Sequence, residues 1–281
     1  MVTIKHADFK YRGFLLYNCQ LQGLWTLLAG GGLWCNGSSI CWPPGDQLNL
    51  LNFEEHLKDL NAVIFDVDGL MLDTEAVGLI TWTRACADFG FQMTKEIFLE
   101  MVGRNTADSN DACFRAFGPE FPVAEVRARK IGYGREYISK HGLAPKPGLL
   151  ELLATLSQQK VKIGVATSTD RKLALERLAA AGLPPEKFNA ITCGDEVSCG
   201  KPAPDIFLET ARRLGVDPSR CLVLEDSEAG IAGAAAAGMS PVMVPDLKPA
   251  SEQARAAAFK ILPSLVEART LILSILKEIP A

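Results

Sequence analysis

The chain has 281 residues, 48% of them apolar and 22% charged, which suits one main domain with a smaller insertion or appendage and is too short for two large domains. A net charge of −4 and a pI near 5.5 argue against a general nucleic-acid or membrane-surface binder. The eight cysteines include no Cys-x-x-Cys pair, so neither a zinc site nor a disulfide framework is expected, and scattered thiols fit a reducing cytoplasm.

Residues 1–56 read differently from the rest. No charged residue occurs between Gly13 and Pro44, and neither a 3.6 nor a 2.0 period is sustained. Lys5, Lys10 and Arg12 precede the largely uncharged run Phe14 to Trp34, which has the outline of a signal anchor. Asn18, Gln20 and Gln22 interrupt that run, and such amides are costly inside a membrane helix. The stretch is therefore expected to be an extension outside the folded domain, disordered or non-native, with little fixed structure. Asn36-Gly37-Ser38 matches a glycosylation sequon of a kind that arises often by chance.

From Leu60 the pattern becomes regular. Asn61 to Phe65 is a short apolar strand. Helices are expected over Ala76–Phe89, Lys95–Val102, Ala107–Phe117 and Val123–Lys140, punctuated by Gly90, Gly103 and Gly118-Pro119. Helices and strands then alternate: helix Pro147–Gln158, strand Val161–Ala166, helix Asp170–Ala181, strand Asn189–Thr192, helix Pro204–Leu214, strand Cys221–Leu224, helix Glu228–Ala237, strand Val242–Val244 and helix Leu262–Lys277. This alternation predicts an α/β fold, a parallel sheet covered by helices on both faces. The all-helical block breaks it and is read as an inserted cap over 76–144, with the core formed by 57–75 and 145–281.

In open parallel sheets ligands bind beyond the carboxyl ends of the strands, and polar groups cluster there. Asp66-Val67-Asp68-Gly69 follows the first strand; side chains two apart in extended chain share a side, and Gly69 permits a sharp turn. Thr167-Ser168-Thr169 follows the second strand and suits phosphate oxygens. Gly200-Lys201-Pro202 offers a lysine on a constrained turn, and Glu225-Asp226-Ser227 a second acidic pair. Each element alone has an ordinary explanation as a turn, a cap or a surface charge; their alignment with successive strand ends carries the argument. The oxygen-rich acidic set suits a hard cation such as Mg²⁺.

With the motifs DVDGLMLDTE, ATST, GKPAPD and LEDSEAGI in this order, the chain resembles the haloacid dehalogenase superfamily over about residues 60–245, within the group that carries a helical cap after the first motif. The resemblance implies a Rossmann-like core and Mg²⁺-dependent phosphoryl transfer through an aspartyl-phosphate. It assigns Asp66 as nucleophile, Asp68 as general acid and base, Thr167 as holder of the phosphoryl oxygens and Lys201 as the charge that steadies them. It assigns Asp66, Asp226, the Asp68 carbonyl and, through water, Glu225 to the metal, with Gly69 and Ser168 close to the substrate. To protonate a leaving oxygen, Asp68 is expected to have a raised pKa. Asp73-Thr74-Glu75 leads into the cap, where Arg104 and Asn105 are candidate substrate readers; Arg171 and His141 are weaker ones. Trp82, Phe89, Phe98 and Phe114 are expected to form the cap core.

The same group includes β-phosphoglucomutase-type enzymes, from which the chain departs at Gly78, Thr106 and Asp170, where mutases carry a hinge histidine, a cap arginine and a lysine. The expectation is therefore a monomeric, cytoplasmic phosphatase of a small phosphate ester, sugar phosphate foremost. A mutase and a non-catalytic binding protein on the same fold stand as alternatives.

Overall fold

A computed structural model of the chain describes strands at residues 5–11, 14–19 and 24–27, and describes residues 59–102 and 106–277 throughout. It divides into two units, Met1–Phe53 and Glu54–Ala281. In the first, β1 (Lys5–Tyr11), β2 (Phe14–Cys19) and β3 (Leu24–Leu27) pair antiparallel in that order. Strand-favouring Phe and Tyr occur in β1 and β2.

The second unit is built on a six-stranded sheet whose neighbours all run parallel. Its central strand is β4 (Ala62–Phe65), every residue of which is buried, as an apolar run covered on both faces must be. On one side lie β5 (Lys162–Thr167) and β6 (Ala190–Cys193); on the other lie β7 (Cys221–Glu225), β8 (Ser240–Met243) and β9 (Lys260–Ile261). Leaving strand β4, the chain forms the cap helices α1 (Thr74–Asp88), α2 (Lys95–Met101), α3 (Thr106–Phe117) and α4 (Val123–His141). Core helices α5 (Leu149–Gln158), α6 (Arg171–Ala180), α7 (Asp205–Leu214) and α8 (Glu228–Ala236) then alternate with the strands. Two elements the pattern does not predict, α9 (Glu252–Ala257) and β9, which adds the edge strand beside β8, precede α10 (Leu265–Lys277). Both are short enough for no period to register.

One face of the sheet packs Ile64 and Val223 against Ile206, Phe207 and Leu214 of α7. The cap has its own core, with Trp82, Cys86, Phe98, Met101, Cys113 and Phe121 in contact, each large apolar side chain contributing roughly 1.5–3 kcal/mol. Phe114 does not join it and is exposed, whereas the rings of Phe91, Phe117 and Phe121 contact one another within 5.6 Å, Phe91 edge-on to the stacked pair Phe117 and Phe121.

Two linkers join cap and core side by side. Leu72 pairs antiparallel with Pro145, Asp73 N–H donates to the Ala144 carbonyl at 3.2 Å, and Lys146 N–H to the Met71 carbonyl at 2.8 Å. Lys146 Nζ also binds Asp73 at 3.2 Å and Asp246, just beyond β8, at 2.6 Å. Among the described residues no helix is long and apolar enough to cross a membrane.

Candidate active site

The parallel register aligns the carboxyl ends of β4, β5 and β7, so residues distant in sequence become neighbours: Phe65 pairs with Val165 on one side and Leu224 on the other. Asp66, Thr167 and Glu225 stand at these ends, all buried. Lys201, from the loop before α7, reaches between them. Its ammonium donates to Asp66 Oδ1 at 2.5 Å, to Glu225 Oε1 at 2.6 Å and to the Ala166 carbonyl at 2.9 Å. All three ammonium protons are thereby used. Burial works against the lysine's charge, but Asp66 and then Glu225 outweigh it and raise its pKa. Asp66 is pushed up to about 8, first by burial; Lys201 pulls it down, while Glu225 and Asp68 add to the rise.

Glu225 is held at its other end. Its Oε2 accepts from the Ser227 backbone N–H at 2.9 Å and the Ser227 hydroxyl at 2.8 Å, and that hydroxyl caps α8 by accepting from Gly230 N–H at 3.1 Å. A Cβ on Gly230 would collide with the Glu225 carboxylate, so the helix comes this close only because residue 230 has no side chain.

Asp226, also buried, makes no hydrogen bond or ion pair among the described residues. Burial first, then Glu225, Asp66 and Glu75, raise its pKa well above the usual range. Its Oδ2 lies against Gly69, whose φ of +89° suits glycine and whose missing Cβ would overlap that oxygen. Asp246 Oδ2 is a buried carboxylate oxygen without a hydrogen-bond partner, 3.5 Å from the position of the same absent Cβ. A buried acceptor left unmatched is costly. An all-oxygen, strongly negative pocket of this kind fits a hard divalent cation. Among the described residues, no three of His, Cys, Asp or Glu already form a metal cage, since Lys201 and Ser227 take Glu225 while the Asp68 side chain turns elsewhere.

That turn corrects one expectation. Asp68 Oδ1 accepts from Arg177 of α6 at 2.6 Å and its Oδ2 from the Thr169 hydroxyl at 2.6 Å. Burial alone would raise the Asp68 pKa, but the Arg177 guanidinium and then the Thr169 hydroxyl overcome it and leave it below the usual range, not above. Glu75 instead is pushed up to about 7, by burial and then by Asp68.

The other sequence candidates divide. Thr167 is buried and its hydroxyl accepts from Thr169 N–H at 3.2 Å, whereas Ser168 is exposed on the same loop. Arg104 and Asn105, with Gly103, lie outside the described residues. Arg171 is engaged by the Ile191 carbonyl at 3.3 Å and Glu196 at 3.0 Å, which makes it a strut of the loop after β6. His141 stacks on Tyr137 at 4.6 Å at the exposed end of α4. Reading strand ends alone misses Arg177, Lys130, Lys146 and Asp246. Asp246 was accessible to the same rule, since it follows β8; the others are mid-helix or linker cations with no local signal.

Residues 63–244 match the model of the haloacid dehalogenase-like hydrolases. The chain is 30% identical over 184 residues to a phosphorylated carbohydrates phosphatase of Thermotoga maritima, covering 65% of this chain and 84% of the relative. It is 32% identical over 194 residues to a β-phosphoglucomutase of Bacillus subtilis, covering 66% and 83%. Among solved structures, CbbY from Rhodobacter sphaeroides in complex with phosphate superposes with a TM-score of 0.65 at 28% identity, over 74% of this chain and 96% of that one. With four motifs at the ends of one parallel sheet and a family match over most of the chain, this protein belongs to the haloacid dehalogenase-like hydrolases.

Proposed function

We propose that the protein is a Mg²⁺-dependent phosphatase of small phosphorylated metabolites, sugar phosphates foremost, working through an aspartyl-phosphate on Asp66. The observation that carries this reading is the buried ammonium of Lys201, shared between Asp66 and Glu225 at 2.5 and 2.6 Å. A carboxylate is a weak nucleophile and repels a phosphate dianion, so it needs fixed positive charge beside it in a dry site.

Asp66 and Asp226, with the Asp68 carbonyl, would hold the metal, and Glu225 would reach it through water. Bound there, Mg²⁺ supplies charge that neutralises the phosphoryl oxygens and keeps Asp66 ionised. Asp66 Oδ2, the oxygen not taken by Lys201, attacks phosphorus. Lys201 and the Thr167 hydroxyl hold the phosphoryl group against the strand ends. Asp68, once its side chain has left Arg177, turned toward Asp66 and taken up a proton from solvent, gives that proton to the departing oxygen and then takes one from the water that opens the acyl phosphate.

The B. subtilis mutase relative keeps phosphosugar mutation as a second reading. Against it, residue 78 is glycine, and a Cβ there would lie 3.0 Å from the Phe98 ring, so a histidine would require that ring to shift. Asp170 in turn is used as the cap of α6, accepting from Leu173 N–H at 3.1 Å. The test is phosphate release from a broad phosphometabolite panel with Mg²⁺, run beside Asp66→Asn. A mutase would instead interconvert hexose phosphates in the presence of a bisphosphate. The phosphatase reading fails if wild type and Asp66→Asn release phosphate equally or not at all.

A further inference from the structure

On the cap side of Asp68 lies a cavity of about 200 Å³, walled by α1 and α4 of the cap and by α6 of the core. Its lining includes Thr74, Lys130, Arg135, Leu173, Glu176 and Arg177. Of the charges there, Arg135 and Glu176 satisfy each other across the cap–core gap through two bonds of 2.9 and 3.1 Å. Arg177 holds Asp68 at 2.6 Å. Lys130 makes no hydrogen bond or ion pair among the described residues, and burial, then the like charge of Arg177, push it down to about 8. Glu75 faces the same group of charges.

Both oxygens of Asp68 are occupied, one by Arg177 and one by Thr169. For Asp68 to serve the leaving oxygen it must give up Arg177. Two cations, Arg177 and Lys130, then share a small cavity in which Glu75 opposes them, while the lining Glu176 is already taken by Arg135. Uncompensated buried charge of this sort is strongly unfavourable. The turn of Asp68 is therefore favoured when a new anion enters the cavity in its place.

We propose that Arg177 is a specificity-determining residue which, with Lys130, receives a second anionic group of the substrate. The preferred substrate is then a phosphate monoester that also carries a carboxylate or second phosphate on a short carbon skeleton. Its far end takes Arg177 from Asp68 and so frees the acid for catalysis. This rests on the phosphatase reading above and narrows it.

The experiment uses the full chain with Mg²⁺ and matched substrates that differ only in the far group: glycerol phosphate against phosphoglycerate, and a hexose monophosphate against the hexose bisphosphate. Wild type, Arg177→Met and Arg177→Lys are compared by kcat and KM, with melting curves to show that each is folded. Wild type is expected to prefer the anionic member by about tenfold or more in kcat/KM. The ratio falls to about one in Arg177→Met and is partly kept in Arg177→Lys. A wild type without preference, or an Arg177→Met that loses both members equally and keeps the ratio, overturns the proposal. If no ester is turned over, an aryl phosphate included, the phosphatase reading fails separately. Calorimetric binding of phosphoglycerate then decides this one: weaker binding to Arg177→Met by about tenfold supports it, and equal binding overturns it.

Discussion

Lys201→Met removes the cation on which the whole site is balanced. In the wild type the ammonium touches Asp66, Glu225 and the Ala166 carbonyl, with only 4% of its side chain exposed. Without it two carboxylates remain buried beside each other, and removing one partner of a buried ion pair costs about 3–5 kcal/mol. Proton uptake limits the loss. Asp66, already pushed up to about 8 by burial, rises further in the variant. A carboxyl whose folded pKa exceeds its unfolded value stabilises the fold below the unfolded pKa, and that contribution is lost as pH rises through the folded one. The defect should therefore be small near pH 5 and reach about 3 kcal/mol above pH 8, a drop in Tm of roughly 6–12 °C for a domain of this size. Phosphate release should fall about a hundred- to a thousandfold, as when one preorganised charge is taken from a transition state. Urea titrations across this pH range beside a phosphate assay measure both. A variant with wild-type stability at pH 9, or with activity within threefold of wild type, would overturn this expectation.

Three further outcomes are expected. Lys130 has a folded pKa near 8 against an ordinary 10.5, so its charged form penalises the fold below pH 8, a penalty relieved as pH rises toward 10.5. Lys130→Met should stabilise the protein at pH 7 by about 1–3 kcal/mol after allowance for solvent, read by urea midpoint; destabilisation would contradict it. Gly230→Ala should lower stability by about 1–3 kcal/mol despite the better helix propensity of alanine, because its Cβ meets the Glu225 carboxylate; a gain on thermal melting would show that the helix yields freely. Among the described cysteines, exposed Cys199 should be alkylated at pH 8 well before Cys221, buried and pushed up to about 12 by burial first and then by Asp217; peptide mapping showing the reverse order would place Cys221 on an open surface.

The sheet, its crossovers and the four strand-end motifs were legible because apolar strands of β4 type, glycine stops and acidic turns leave local marks in the sequence. The state of those motifs was not. Nothing around Asp68 in the chain reveals that Arg177, 109 residues on, turns its carboxyl toward the cap and lowers its pKa. Likewise, Lys146 can be seen to tie both cap linkers to Asp246 only once residues 100 apart are brought together. Helix faces posed a related difficulty: Phe98 and Phe114 look equally fit for the cap core, and only the packing of α3 shows that one is buried and the other is not.

The proposed chemistry turns on Asp66 taking the phosphoryl group. Acid-quenched turnover of an aryl phosphate with Mg²⁺, followed by peptide mass spectrometry, tests it most directly. A transient phosphoryl group is expected on the peptide carrying Asp66, absent from Asp66→Asn. Steady phosphate release with no labelled Asp66, or the same release from Asp66→Asn, would contradict it.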